Sequence, residues 1–329
     1  MKKTVTGTVI FALLTLLLPA ALLCLPLPAE EKTPLHKNAE TTAELQVPVL
    51  DRAAGQVNSL PLREYLIGAV ASEMPAGYQP EALKAQAIAV HSYILACRDL
   101  QAASPDPSLC GAWLSADPGR LEGYLTQTGM QAVWKDDFAQ NYAYVAAQVD
   151  AVLDRVLYYE GAPALATYYA ISNGKGEASE NVWTAPLPYL TAVDLPWDRQ
   201  AAGFEETVTF SLQQMADALG MHFYALDLSG PAAEWFGAQE KSPSGYVLRQ
   251  ACGGQLLKGG DLRTALGLRS ADFTISYTEE EGFRITTRGY GHGVGLSQHA
   301  ANVMALEGMD HRQILAHCYP GTVLGRADD

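Results

Sequence analysis

The run Arg288-Gly289-Tyr290-Gly291-His292-Gly293-Val294-Gly295-Leu296-Ser297-Gln298 constrains the fold more than any other stretch. Every second residue from 289 to 295 is glycine. One side of a strand-like run there carries no side chain, so another backbone or a ligand can approach it closely. Tyr290 and His292 share the other side. Ser297 then starts a helix that Gly308 ends. Two readings follow: tight packing of the last strand against helices, or one wall of a cleft lined by His292, Ser297 and Gln298.

A second stretch supplies something for such a cleft to hold. Residues 62–75 read as a short helix, with Tyr65, Leu66, Ala69 and Val70 on one side. Glu73 is the next step along that stripe, and Pro75 stops the helix. A carboxyl aimed at apolar surroundings has its charged form disfavoured and its pKa raised. That is what a glutamic acid needs to donate a proton near neutral pH. The plainer reading is a structural Glu hydrogen-bonded at a helix end.

Pro80 opens a longer helix at a position where its missing N–H costs nothing. Leu83, Ala87, Val90, Ile94 and Cys97 form its apolar stripe. Lys84 and His91 lie seven apart, hence near one face. His91 is equally readable as a satisfied helix histidine. Residues 135–154 predict a helix, and 155–161 with 165–170 a hairpin. Residues 207–219 predict another helix. Beyond them come a hairpin with a Pro-Ser-Gly turn, a turn at Gly253-Gly254 and a short helix at 260–266. Strands follow at 273–277 and 282–287, then a last helix with Asp310 and Gln313 as a capping box. The expected fold class is mixed α+β, antiparallel strands and hairpins with packed helices around a cleft.

The formal charge of −14 argues against a nucleic-acid partner, which usually calls for a basic face. Five cysteines, Cys24, Cys97, Cys110, Cys252 and Cys318, form no CxxC pair and no dense disulfide framework. Lys2 and Lys3 precede a charge-free apolar run over residues 5–27, long enough to span a bilayer. The expectation is a signal anchor over 1–28, a polar linker over 29–45, and one domain over 46–329 on the extracytoplasmic side of the cell membrane. A cleaved signal peptide is the rival reading, although Leu27-Pro28-Ala29 fits a cleavage site poorly.

Taken together, "EYLIGAVASEMPAGYQPEALKAQAIAVHSY" (64–93) and "RGYGHGVGLSQHAANVMA" (288–305) resemble the stage II sporulation protein D (SpoIID)/LytB family. The resemblance runs over about 47–322. It implies a peptidoglycan lytic transglycosylase with Glu73 as the catalytic acid and glycan strands freed of stem peptides as substrate. It further implies a membrane tether and, as partners in engulfment, an amidase and a membrane scaffold protein. The alternative within the family is a non-catalytic wall-binding enhancer of an amidase. His91 stands where the family has an arginine. The segment Ile171-Ser172-Asn173-Gly174-Lys175 resembles a family loop, which makes Ser172 and Asn173 candidates for sugar hydrogen bonds and Lys175 for the muramic carboxylate. The full substrate-binding set is Lys84, His91, Ser172, Asn173, Lys175, Tyr290, His292, Ser297 and Gln298. No cofactor is expected. Many relatives bind zinc through His and paired Cys. Here Cys97, Cys110 and His91 offer at most three ligands of the four a structural zinc takes, or a disulfide instead, so no metal site is assigned.

Overall fold

The computed structural model describes residues 45–327, apart from Leu121 and Thr184. The expected anchor and nearly all of the linker lie outside the described residues. No described helix is long and apolar enough to cross a membrane.

The chain begins with a hairpin of β1 (Gln46–Asp51) and β2 (Gln56–Pro61), turned at Gly55. It leads directly into α1 (Leu62–Glu73), then α2 (Pro80–Ala103). A short β3 (Leu114–Ala116) adds to β1 in parallel. α1 is buried on nearly all sides, a stronger enclosure than the single apolar stripe predicts. The extra cover comes from the 123–125 segment, where Leu125 N–H bonds the Gly68 carbonyl at 2.9 Å. Any side chain at Gly68 would collide with that backbone.

The expected helix over 135–154 is the shorter α4 (Phe138–Asp150), and a separate α3 (Gln127–Trp134) precedes it. Lys135 has φ of 49°, a left-handed conformation that cannot continue a helix. β4 (Arg155–Tyr159) turns back through Glu160 and Gly161, both at positive φ, into β5 (Ala162–Pro163). The predicted hairpin ends there. β6 (Tyr168–Tyr169) leaves it and pairs in parallel with a later strand. A short α5 (Ser179–Trp183) follows.

Residues 207–210 are strand rather than helix. β7 (Glu205–Phe210) alternates Thr, Val, Thr and Phe, the β-branched and aromatic pattern that suits a pleated surface. α6 (Leu212–His222) starts at Ser211, which makes a capping box with Gln214. β8 (Phe236–Lys241), β9 (Val247–Cys252) and β10 (Gln255–Lys258) form an antiparallel sheet, followed by α7 (Gly259–Ala265). β11 (Phe273–Thr278) and β12 (Gly282–Arg288) pair with β7. After the glycine run come β13 (Leu296–Ser297), α8 (Gln298–Leu306), α9 (His311–Cys318) and β14 (Val323–Arg326), which returns to β4. The Asp310–Gln313 capping box is present.

Among the described residues these elements bury a small cluster of Tyr169, Leu195 and Ala300 and two large hydrophobic cores. The larger gathers α1–α4, α8, α9 and β4 around residues such as Leu66, Ile88, Leu157 and Tyr319. The smaller gathers α6, α7 and β7–β12 around Phe273, Phe283 and Leu262. The alternating-glycine run is the seam between them. It is not an extended strand: its four glycines all have positive φ. Tyr290 and Ile171 exchange backbone hydrogen bonds, and Gly291 N–H bonds the Arg269 carbonyl. The missing side chains let this segment lie directly on β6 and the 171–173 loop.

Candidate active site

At the seam lies a cleft lined by Ser72, Glu73, Tyr168, Tyr169, Ala170, Arg263, Tyr290, Gly291, His292 and Gln298. One wall comes from the larger core through α1, β6 and α8. The other comes through α7 and the glycine run.

Glu73 is the last residue of α1 and is 9% exposed. Burial raises its pKa to about 7, against the opposing hydrogen bond from Gln298. Gln298 Nε2 donates to Glu73 Oε2 at 3.2 Å. Oε1 is buried without a partner. Gln298 thus occupies one oxygen as an acceptor and leaves Oε1 to carry and deliver the proton. Glu73 is the only carboxyl among the residues lining the cleft.

Gln298 is held in place from both sides. Its neighbours Ser297 and His299 both donate to the buried Asp198 carboxylate, from Oγ at 2.7 Å and Nδ1 at 3.0 Å. Ser172 N–H donates to the same group at 2.8 Å. Asp198 sits in a one-turn helix, Pro196–Gln200, that α8 packs upon. We expect Asp198→Ala to cost about 1–3 kcal/mol, because two buried donors and the part-buried His299 lose their acceptor. A urea melt reads this directly, and an unchanged midpoint would show that the node does not hold α8.

His292 lies against the rings of Tyr169 and Trp183, with centroids at 5.6 and 4.9 Å. Val294 N–H donates to its Nδ1 at 3.1 Å, which places the ring proton on Nε2. Burial, with the nearby Arg263 charge, pushes its pKa down to about 3, so it is neutral at physiological pH. Tyr290 lines the cleft beside it, with the Arg269 guanidinium 4.3 Å above its ring centroid.

Of the nine substrate-binding candidates, the structure brings Tyr290, His292 and Gln298 to Glu73's cleft. Ser297 is fully buried behind it as the N-cap of α8. Ser172 is also fully buried, spent on Asp198 and on Gly174 N–H. Asn173 is turned toward the smaller core, donating to Ser244 O and Asp272 Oδ2. Lys175 is exposed and sits 3.9 Å from Asp194. Lys84 pairs with Glu81 at 2.6 Å, and Glu81 also holds His311. Burial pushes Glu81 upward, but the bonds from Lys84 and His311 win and hold it at about 2. His91 is corrected outright. It is fully buried beside the Arg155 backbone, and burial pushes its pKa down to about 4. The seven-residue spacing does place Lys84 and His91 near one face, but α2 is enclosed along that stretch by α1, α4, α8, α9 and β4.

Five cleft residues escape sequence reasoning: Ser72, Tyr168, Tyr169, Ala170 and Arg263. Asp198, behind the cleft, escapes it too. Tyr168 and Tyr169 carry the signal of any buried strand. Arg263 is one charge in a short polar helix, and nothing local marks it.

Cys97 and Cys110 are free thiols, so the disulfide alternative does not hold. Cys97 is buried, with its pKa pushed up to about 12, while Cys110 is exposed. Among the described residues no group of three or more His, Cys, Asp or Glu is placed to hold a metal ion. Dialysis against a strong chelator is therefore expected to leave the melting temperature unchanged. A fall restored by zinc would reveal a liganding route through this region.

Fold and site define a two-core α+β protein with a single buried carboxyl of raised pKa in the cleft between the cores. Comparison with known proteins gives that class a family. The profile of the stage II sporulation protein (SpoIID) family matches residues 51–159. The chain is 36% identical to stage II sporulation protein D of Bacillus amyloliquefaciens over 95% of its length and 93% of that protein's. It is 35% identical to stage II sporulation protein D of Bacillus subtilis (strain 168), over 90% of its length and 84% of that protein's. An amidase enhancer of Bacillus subtilis (strain 168) is 26% identical over 79% of the chain and 40% of the enhancer. The chain belongs to the stage II sporulation protein D family, a family of sporulation proteins.

Proposed function

We propose that the protein is a peptidoglycan lytic transglycosylase acting in sporulation. It cleaves the bond between N-acetylmuramic acid and N-acetylglucosamine and leaves a 1,6-anhydro end. The observation that carries this reading is Glu73: an acid whose pKa burial lifts to about 7, with one free oxygen, and no second carboxyl in its cleft. Hydrolases that invert or retain need two carboxyls at a defined separation. Glu81 is tied to Lys84 and His311, and Glu180 is exposed on α5. Neither lines the cleft.

One residue suffices for the anhydro route. Glu73 Oε1–H protonates the glycosidic oxygen as the bond to the muramic anomeric carbon breaks. The resulting carboxylate then takes the proton from the muramic 6-hydroxyl as that oxygen closes onto the same carbon. The acid is restored and no water is consumed. Gln298 holds the carboxyl's orientation through both steps.

The reading extends to a chain anchored through residues 1–28, with its domain outside the cell membrane and acting beside an amidase and a membrane scaffold. It rests there on the apolar N-terminal run and the family. A wall-binding enhancer of an amidase is the second reading, favoured by the similarity to the amidase enhancer. Digestion of purified wall followed by mass spectrometry separates the two. Anhydro-muramic ends support cleavage, and stimulated amidase without them supports the enhancer. Strands stripped of stem peptide are expected to be cleaved faster than intact wall. Equal or faster cleavage of intact wall would count against that preference.

A further inference from the structure

Arg263 is the one Lys or Arg side chain among the residues lining the cleft, and the single-acid chemistry gives it no role. It projects from α7, in the smaller core, toward the same cleft as Glu73. Its Nε donates to the Leu268 carbonyl at 3.3 Å, which fixes the plane of the guanidinium. Its two Nη groups make no hydrogen bond among the described residues, and no described carboxylate lies within ion-pair distance. Arg269, six residues further along the chain, is different: it stacks on the Tyr290 ring and sits 3.9 Å from Glu206.

A half-buried guanidinium without a counter-ion is costly, and burial here lowers the pKa of Arg263 despite its fixed charge. Glu73 shares the cleft, but among the described residues its one side-chain hydrogen bond is with Gln298 and it makes no ion pair with Arg263. The charge therefore awaits an anion that comes with the ligand. A guanidinium presents parallel N–H donors that match a carboxylate two for two.

We propose that Arg263 is the specificity-determining residue of the cleft, an anion subsite that binds the free lactyl carboxylate of a muramic residue. This rests on the transglycosylase reading for its substrate. On a glycan strand the lactyl carboxylate is the one anionic group of the repeating disaccharide. While a stem peptide is attached, that carboxyl is an amide with no charge to offer. Arg263 would then be desolvated opposite a neutral group, and the mismatch selects against peptide-bearing strands. Lys175, to which the family resemblance gives this carboxylate, lies outside the cleft lining and near Asp194.

Binding tests the subsite without requiring cleavage. The full chain carrying Glu73→Gln is titrated calorimetrically with a denuded GlcNAc–MurNAc tetrasaccharide. A second titration uses the same sugar with its lactyl carboxyls converted to primary amides. The carboxylate form is expected to bind at least ~10-fold tighter, the discrimination a charged pair typically gives. Adding Arg263→Gln should reduce its affinity to that of the amide, with the amide affinity unchanged. Arg263→Lys should retain part of the preference and serves if the Gln variant fails to fold. No preference in the Arg263 protein would overturn the proposal, as would a preference that survives Arg263→Gln. Absence of anhydro products from the wild-type chain would instead overturn the transglycosylase reading and leave the charge preference measurable.

Discussion

Glu73→Gln is expected to lower the rate of glycan cleavage by about 10²–10⁴-fold and leave the fold intact, the range general acid–base help supplies. Glutamine keeps the size of the side chain and can still meet Gln298, but it has no proton to transfer. The measurement is release of anhydro-muramic ends by the purified variant, with a melting curve as the check on folding. Near-wild-type release from a folded variant would remove Glu73 from the chemistry. The wild-type rate should also fall as pH rises through about 7, because the ionised form of Glu73 cannot donate.

The same residue makes an opposite prediction for stability. An unfolded glutamate titrates near 4.5, whereas burial puts the folded one at about 7. Between those values the folded state keeps a proton that the unfolded state has lost, so stability falls as pH rises. The contribution is fully present below 4.5 and is lost through 7. A gap of this size corresponds to about 3 kcal/mol. Glu73→Gln should therefore match the wild type in acid and melt at a higher temperature at pH 8. A variant with the activity loss and this stability gain would carry the signature of a buried functional acid.

What was legible in the sequence, and what was not, follows from distance along the chain. The enclosure of Glu73 was legible because helical spacing places it beside Tyr65, Ala69 and Val70, and those residues are buried. The capping box at Asp310 is local, so it could be read directly. The 207–210 segment was misread as helix because its pairing partner, β12, lies some eighty residues away. His91 was misplaced for a related reason. Spacing gives the face of a helix, but only the packed elements decide whether that face meets a cleft or a core. Arg263 and Asp198 depend wholly on tertiary placement. Arg263 is defined by the carboxylates it lacks, and Asp198 by three donors from two distant segments.

Gly295→Ala is expected to be among the most destabilising small substitutions in the chain. Gly295 has φ of 89°, a region that costs an alanine roughly 1–2 kcal/mol. An added Cβ would also lie 2.0 Å from the Thr167 carbonyl oxygen and 2.9 Å from its carbon. That carbonyl cannot yield easily: it accepts from Leu296 N–H at 3.1 Å and from the buried Tyr319 hydroxyl at 2.7 Å. Thr167 Oγ1 in turn donates to the Val294 carbonyl at 3.0 Å. Overpacking of this kind adds about 1–3 kcal/mol, which brings the total to roughly 2–5 kcal/mol. Gly308→Ala provides the control, since its φ is 94° but nothing lies within 4 Å of the added atom. It should show the conformational cost alone. Because β13 runs straight into Ser297 and Gln298, a shifted Gly295 also moves the donor away from Glu73. Urea midpoints of the two variants decide the matter: equal losses would mean that the close approach of the glycine run to β6 does not hold the two cores together.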